Sequence, residues 1–202
     1  MDGRLTIGGL LAIGLLAGCG SGDSGGSNSA PNPAPTPFTL AGCSTDKGGP
    51  LTGLEGIGGS VAQFAVDHPE DSQHPAEFGD AVGPDLFTTA CYPGTDIIGS
   101  IDYGFPPDSN GNTEGTEAIA LEAIRTLHLV PPDATQVSVA TPEPCKLITM
   151  HSSALAQDLQ GVDASSKGDF IVELNRPTSD PGNYDPNKVS DIIVSTDTAP
   201  GC

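Results

Sequence analysis

The chain is 202 residues long, with 26 acidic and 7 basic side chains, a formal net charge of −19, 27 Gly, 19 Pro and no Trp. So much negative charge repels phosphate backbones and anionic lipid surfaces alike, which argues against nucleic-acid binding and against a domain lying flat on a membrane. The length suits one domain with a modest hydrophobic core and many loops.

At the N-terminus, Arg4 precedes twelve uncharged residues, 5–16, rich in Leu and Ile. A spanning helix needs about 20 apolar residues, so this stretch has the length of a signal-peptide core instead. It ends in Leu16-Ala17-Gly18-Cys19. That tetrad resembles the lipobox of bacterial lipoproteins. The resemblance covers about the first 20 residues. It implies cleavage before Cys19, attachment of diacylglycerol to the Cys19 thiol, and a place on the extracytoplasmic face of a cell membrane. Two or three acyl chains at about 0.8 kcal/mol per buried CH₂ anchor stably where one chain would not. The resemblance says nothing of the folded domain. Residues 20–37 hold four Gly, four Ser and four Pro and no large apolar side chain. They predict a disordered tether, flexible first and stiffer through its prolines, roughly 60 Å when fully extended at about 3.3 Å per residue. The chain thus divides into a signal peptide (1–18), a lipidated cysteine and tether (19–37) and an extracytoplasmic domain (38–202).

Within the domain, a helix is expected over 59–67, ended by Pro69. Partial alternation predicts a strand over 96–103, with Ile97, Ile101 and Tyr103 on one side. The clearest element is a helix over 116–128. Ala120, Ala123, Ile124 and Leu127 follow the spacing of one buried face, acidic residues stand near its start, and Arg125 and His128 stand in its last turn. Pro131-Pro132 stops it, and Thr113 or Asn112 is the expected N-cap. Strands are then expected over 136–140, 146–151 and 170–174, a short helix over 153–159, and a strand over 188–196 buried on both faces. Turn residues are dense at 108–112 and 180–186. Strands and helices do not alternate regularly. The expectation is therefore an α+β domain, one mostly antiparallel sheet with one or two helices on one face.

Four cysteines remain once Cys19 is set aside. In an exported domain an even number reads as disulfides, and Cys43–Cys91 with Cys145–Cys202 is the favoured pairing of three. No Cys-x-x-Cys spacing supports zinc.

Sites are less legible. Asp108, Asn110 and Asn112 place oxygen ligands on alternate residues, as a calcium loop does, but Thr113 stands where that loop needs Gly and Ile119 where it needs Glu. A polar turn leading into the helix explains the same residues. Asp67, His68, Glu70, Asp71, His74, Glu77 and Asp80 gather divalent-metal ligands in a segment that also reads as an ordinary acidic loop. Ser44 and Lys47 match Ser-x-x-Lys but lack the downstream Lys-Thr-Gly, and no nucleophile elbow, phosphate loop or dinucleotide fingerprint occurs. His128 and His151 read as structural or surface histidines. The expectation is a non-catalytic module without cofactor, touching the membrane through Cys19 and acting on a protein partner at the envelope. Capture of a cation or small solute is the alternative, and a cell-wall hydrolase a weaker third.

Overall fold

The computed structural model describes residues 42–43, 53–69, 77–79, 86–163, 166–180 and 183–197. The signal segment, Cys19, the tether, Ser44, Lys47, Glu70, Asp71, His74, Asp80 and Cys202 lie outside these, and the side chain of Glu77 does too.

In chain order the elements are α1 (Val61–Asp67), β1 (Glu77–Gly79), β2 (Leu86–Cys91), β3 (Ile98–Gly104), β4 (Gly115–Thr116), α2 (Glu117–Thr126), β5 (Thr135–Ala140), β6 (Cys145–His151), α3 (Ser153–Asp158), β7 (Asp169–Asn175), β8 (Thr178–Asp180), β9 (Asn183–Tyr184), β10 (Lys188–Val189) and β11 (Asp191–Ser195). Seven strands form one sheet in the order β1-β2-β3-β11-β7-β6-β5, and every neighbouring pair is antiparallel. Two short ladders, β10 with β4 and β8 with β9, stand apart from it. The α+β expectation holds, with three helices in place of one or two. No helix among the described residues is long and apolar enough to cross a membrane.

Register sorts side chains onto two faces. Phe87, Tyr103, Ile192 and Leu174 stand side by side across β2, β3, β11 and β7; Thr89, Ile101, Val194, Val172 and Ile148 form the next row, reaching β6. These residues, Thr89 apart, share one core cluster with Phe64 of α1, Ala120 and Ile124 of α2 and Leu155 of α3. All three helices therefore pack on this face. Phe170, Val172 and Leu174 belong to that core, whereas Ile171 and Glu173 point the other way, as strand alternation requires.

The helices begin where hydroxyls cap them. Ser60 accepts from the Gln63 amide, Thr116 from Ile119 and Ser152 from Leu155, each freeing one amide of the first turn from its lack of partner. Thr116 is thus the N-cap of α2, and Thr113 and Asn112 are not. Gly115 and Thr116 are held in β pairing with Val189 and Lys188, so the chain cannot turn helical before Glu117. At the start of α3, Asp133 adds to the cap. Its carboxylate accepts from the amides of Ser153 and Ala154 and from the Ser152 hydroxyl, and that hydroxyl bond foremost holds the Asp133 carboxyl below its usual range.

Two strand expectations need correction. The single strand over 188–196 is broken at Ser190, whose amide donates to the Asn175 carbonyl. The chain switches there from the small ladder to the large sheet. Ile97 falls before β3, in an isolated bridge with Ser60, while Ile101 and Tyr103 do share a face. The β2 strand was not expected at all. Its buried residues, Phe87, Thr89 and Cys91, include a hydroxyl, which weakens the apolar alternation.

One disulfide is present among the described residues, Cys43–Cys91, as expected. It pins the segment entering the domain to the end of β2. The second expected disulfide, Cys145–Cys202, involves Cys202, which lies outside the described residues.

Candidate functional site

The seven strands span roughly 29 Å at about 4.8 Å per spacing. At the β5 edge all six residues of the last strand are exposed. Between that edge and α2 lies a cavity of about 600 Å³.

Its floor is the core face of the sheet at Ile148, Met150 and Val172. One wall is α2, through Leu121 and Ile124; another is the turn into β5, through Val130, Pro131, Pro132 and Ala134. Among the described residues, polar side chains line it at Glu55, Arg125, His128 and Gln136. The arrangement is the usual one for a small-molecule site, a concave apolar body with a few polar groups that orient the occupant.

The end of α2 builds the polar part. The Leu129 amide donates to the Ile124 carbonyl at 3.0 Å and the His128 amide to Arg125 at 3.2 Å. This is a Schellman closure, with buried Leu129 and Ile124 as its apolar contact. The residue after the cap must be left-handed, and glycine is the usual choice. Here it is His128, at φ 53°. The His128 imidazole meets Glu55, Nδ1 to Oε2, at 2.5 Å. Glu55 reaches it because the neighbouring Gly56 lets the loop lie against the helix end. A Cβ on Gly56 would fall 2.3 Å from the Leu129 carbonyl oxygen.

The cations differ in their engagement. Lys146 meets Glu117 at 2.6 Å and Lys188 meets Glu114 at 2.6 Å. Arg176 lies over the Tyr184 ring and donates to the Pro186 carbonyl. The Arg125 guanidinium, exposed on the last turn of α2, makes no hydrogen bond or ion pair among the described residues. A second, more open concavity of about 500 Å³ lies by Thr178, Tyr184 and Lys188, but Lys188 is already engaged by Glu114.

Of the described residues singled out from sequence, Asp108, Asn110 and Asn112 meet, but as a hydrogen-bonded turn. Asp108 closes a turn: its Oδ1 accepts from the amides of Asn110 and Asn112 at 2.7 and 2.9 Å, and its Oδ2 from the Asn112 side chain at 3.1 Å. The Asn112 amide foremost holds the Asp108 carboxyl below its ordinary range. His68 is buried between the Phe64 and Phe87 rings, 4.5 and 4.4 Å away. His151 contacts Asp169 at 2.9 Å on the surface. Among the described residues no three His, Cys, Asp or Glu side chains gather as a metal site would.

Sequence reasoning missed Glu55 and the floor, and it read Arg125 and His128 only as complements to the helix dipole. One signal was available: a histidine stands where the stop before Pro131-Pro132 wants glycine. Comparison of the chain with protein-family models, curated proteins and solved structures finds no match.

Proposed function

We propose that this chain is a lipid-anchored extracytoplasmic lipoprotein whose domain holds a small solute in the cavity between α2 and the β5 edge. The cavity itself carries the reading. Its volume falls within the range of roughly 300–1,000 Å³ typical of ligand sites, and its walls are apolar. Among the described residues its lining includes no serine, threonine, cysteine or lysine, and its one carboxylate, Glu55, is paired with His128, which favours holding a ligand over attacking one. The anchor rests on Leu16-Ala17-Gly18-Cys19 and the tether that follows. The Cys145–Cys202 disulfide belongs to the same proposal, as a brace on the C-terminus.

A protein partner at the envelope is the other reading. The β5 edge favours it, since Val137 and Val139 are 61% and 44% exposed. Against it, the register slips between Gln136 and Ser138, and such a bulge blunts an edge for strand addition.

Met150 is one of two methionines in the chain and lies on the cavity floor. Its methyl resonance should therefore move saturably when 1-decanol is titrated into the Cys19→Ala chain. The movement should be lost in an additional Ala134→Trp variant that fills the wall. No movement at millimolar decanol or decanoate would sink the cavity reading. For the anchor, a Cys19→Ala chain that still partitioned with membranes would overturn lipidation.

A further inference from the structure

Building on the solute-binding reading, we propose that the natural occupant is a single-chain amphiphile with one free carboxylate, its chain on the Ile148–Met150–Val172 floor and its head group on Arg125.

Charge makes the first argument. On a chain with 26 acidic and 7 basic residues, a guanidinium without a carboxylate partner in the lining of an apolar cavity is open to an anionic group of an occupant. Lys146 and Lys188 have carboxylate partners, Lys167 and Arg176 do not line the cavity, and among the described residues Arg125 is the one Lys or Arg that does. A guanidinium offers forked donors that match both oxygens of a carboxylate, a geometry an ammonium lacks.

The carboxylate already at the rim makes the second. Glu55 is the one carboxylate that lines the cavity with Arg125 among the described residues, and it is held by His128 at 2.5 Å. The holding residue sits in a backbone conformation that disfavours every side chain but is tolerated by His, Asn and Asp. A strained residue kept where glycine would be easier points to a task for its side chain. Withdrawing Glu55 from Arg125 is such a task. Gln136, at the same rim, supplies an amide that can donate a further hydrogen bond.

Shape makes the third. Apolar floor and polar rim divide the site into a body region and a head region, so the occupant must be amphiphilic. A cationic head would be repelled by Arg125, and a neutral one would leave it unpaired.

The test uses the Cys19→Ala chain, which needs no detergent, with decanoate, 1-decanol and decylammonium as probes followed at the Met150 methyl. Decanoate should bind about tenfold or more tighter than decanol, as expected for one charge-assisted bidentate contact, and decylammonium weakest. Arg125→Gln should bring decanoate to the decanol level and leave decanol unchanged; Arg125 is exposed, so the fold should survive the change. Equal binding of decanoate and decanol, with Arg125→Gln without effect, would overturn the carboxylate assignment while leaving the cavity reading standing. Binding of neither would overturn both. Capture of the chain by phosphatidylglycerol vesicles, with no response to free decanoate, would also overturn it, in favour of a lipid surface.

Discussion

The two ends of the helix-covered face of the sheet are packed differently. At the β2–β3 end, Phe64, His68, Phe87, Tyr103 and Phe105 form a continuous ring cluster, with centroids 4.4 to 5.5 Å apart. At the β5–β6 end the apolar lining consists of aliphatic residues and prolines, with no Phe or Tyr among the described residues, and a cavity remains. The same sheet face meets the same layer of helices at both ends. What differs is side-chain volume. Rings, with large areas and few rotamers, fill the space between a flat sheet and a curved helix; Ile, Val and Met under a ten-residue helix do not. One end is built for stability and the other keeps room.

Three changes test that division. The largest effect should come from Phe87→Ala. Phe87 is fully buried, edge-on to Phe64 and stacked near His68 and Tyr103. Its removal should cost about 3–5 kcal/mol in urea unfolding, the loss typical of a buried ring. A loss below about 1 kcal/mol would mean that this end is no better packed than the other.

His128→Gly should change stability little. It removes the left-handed strain, about 1 kcal/mol, together with an exposed contact to Glu55 that contributes no more than about 1 kcal/mol. Decanoate affinity should nevertheless fall several-fold, because Glu55 is freed to reach Arg125. Unfolding and titration on one preparation would separate the two effects. Unchanged decanoate binding would remove His128 from the site.

The smallest effect is expected on the other face of the sheet, from Asp102→Asn. Loss of solvation, and then the nearby Asp191 and Glu173 carboxylates, push the Asp102 carboxyl up to about 6. Its folded pKa thus lies above its ordinary 3.8, so the folded state holds the proton more tightly. Asp102 then favours folding at low pH, and that contribution is lost as pH rises from about 4 through 6. The amide keeps the neutral form throughout. The variant should match the parent at pH 4 and exceed it above pH 6.5, by under about 1 kcal/mol, because Asp102 keeps more than a third of its surface in water. Thermal melts at the two pH values would show it. Equal melts at pH 7.5 would mean that the carboxylates do not strain that face.

Several elements could be read from residue order because local chemistry alone decides them. The α2 helix follows from the spacing of Ala120 and Ile124, with Arg125 near its end and Pro131 beyond. The Cys43–Cys91 pair follows from compartment and parity, and β7 from clean alternation. The strand break at Ser190 and the N-cap at Thr116 could not be read so, because each is set by pairing between residues about 70 apart in sequence. The cavity is the extreme case. It is a volume left between elements, so no residue encodes it. Glu55 and His128 are ordinary surface residues until Gly56 lets their segments touch. Residue order by itself therefore determined α2, β7, the Cys43–Cys91 disulfide and the expectation of an anchored, exported chain, since these depend on nearest neighbours and on short signals. Tertiary structure alone decided β2, the break at Ser190 and where a ligand has room, because pairing and gaps depend on how whole elements pack.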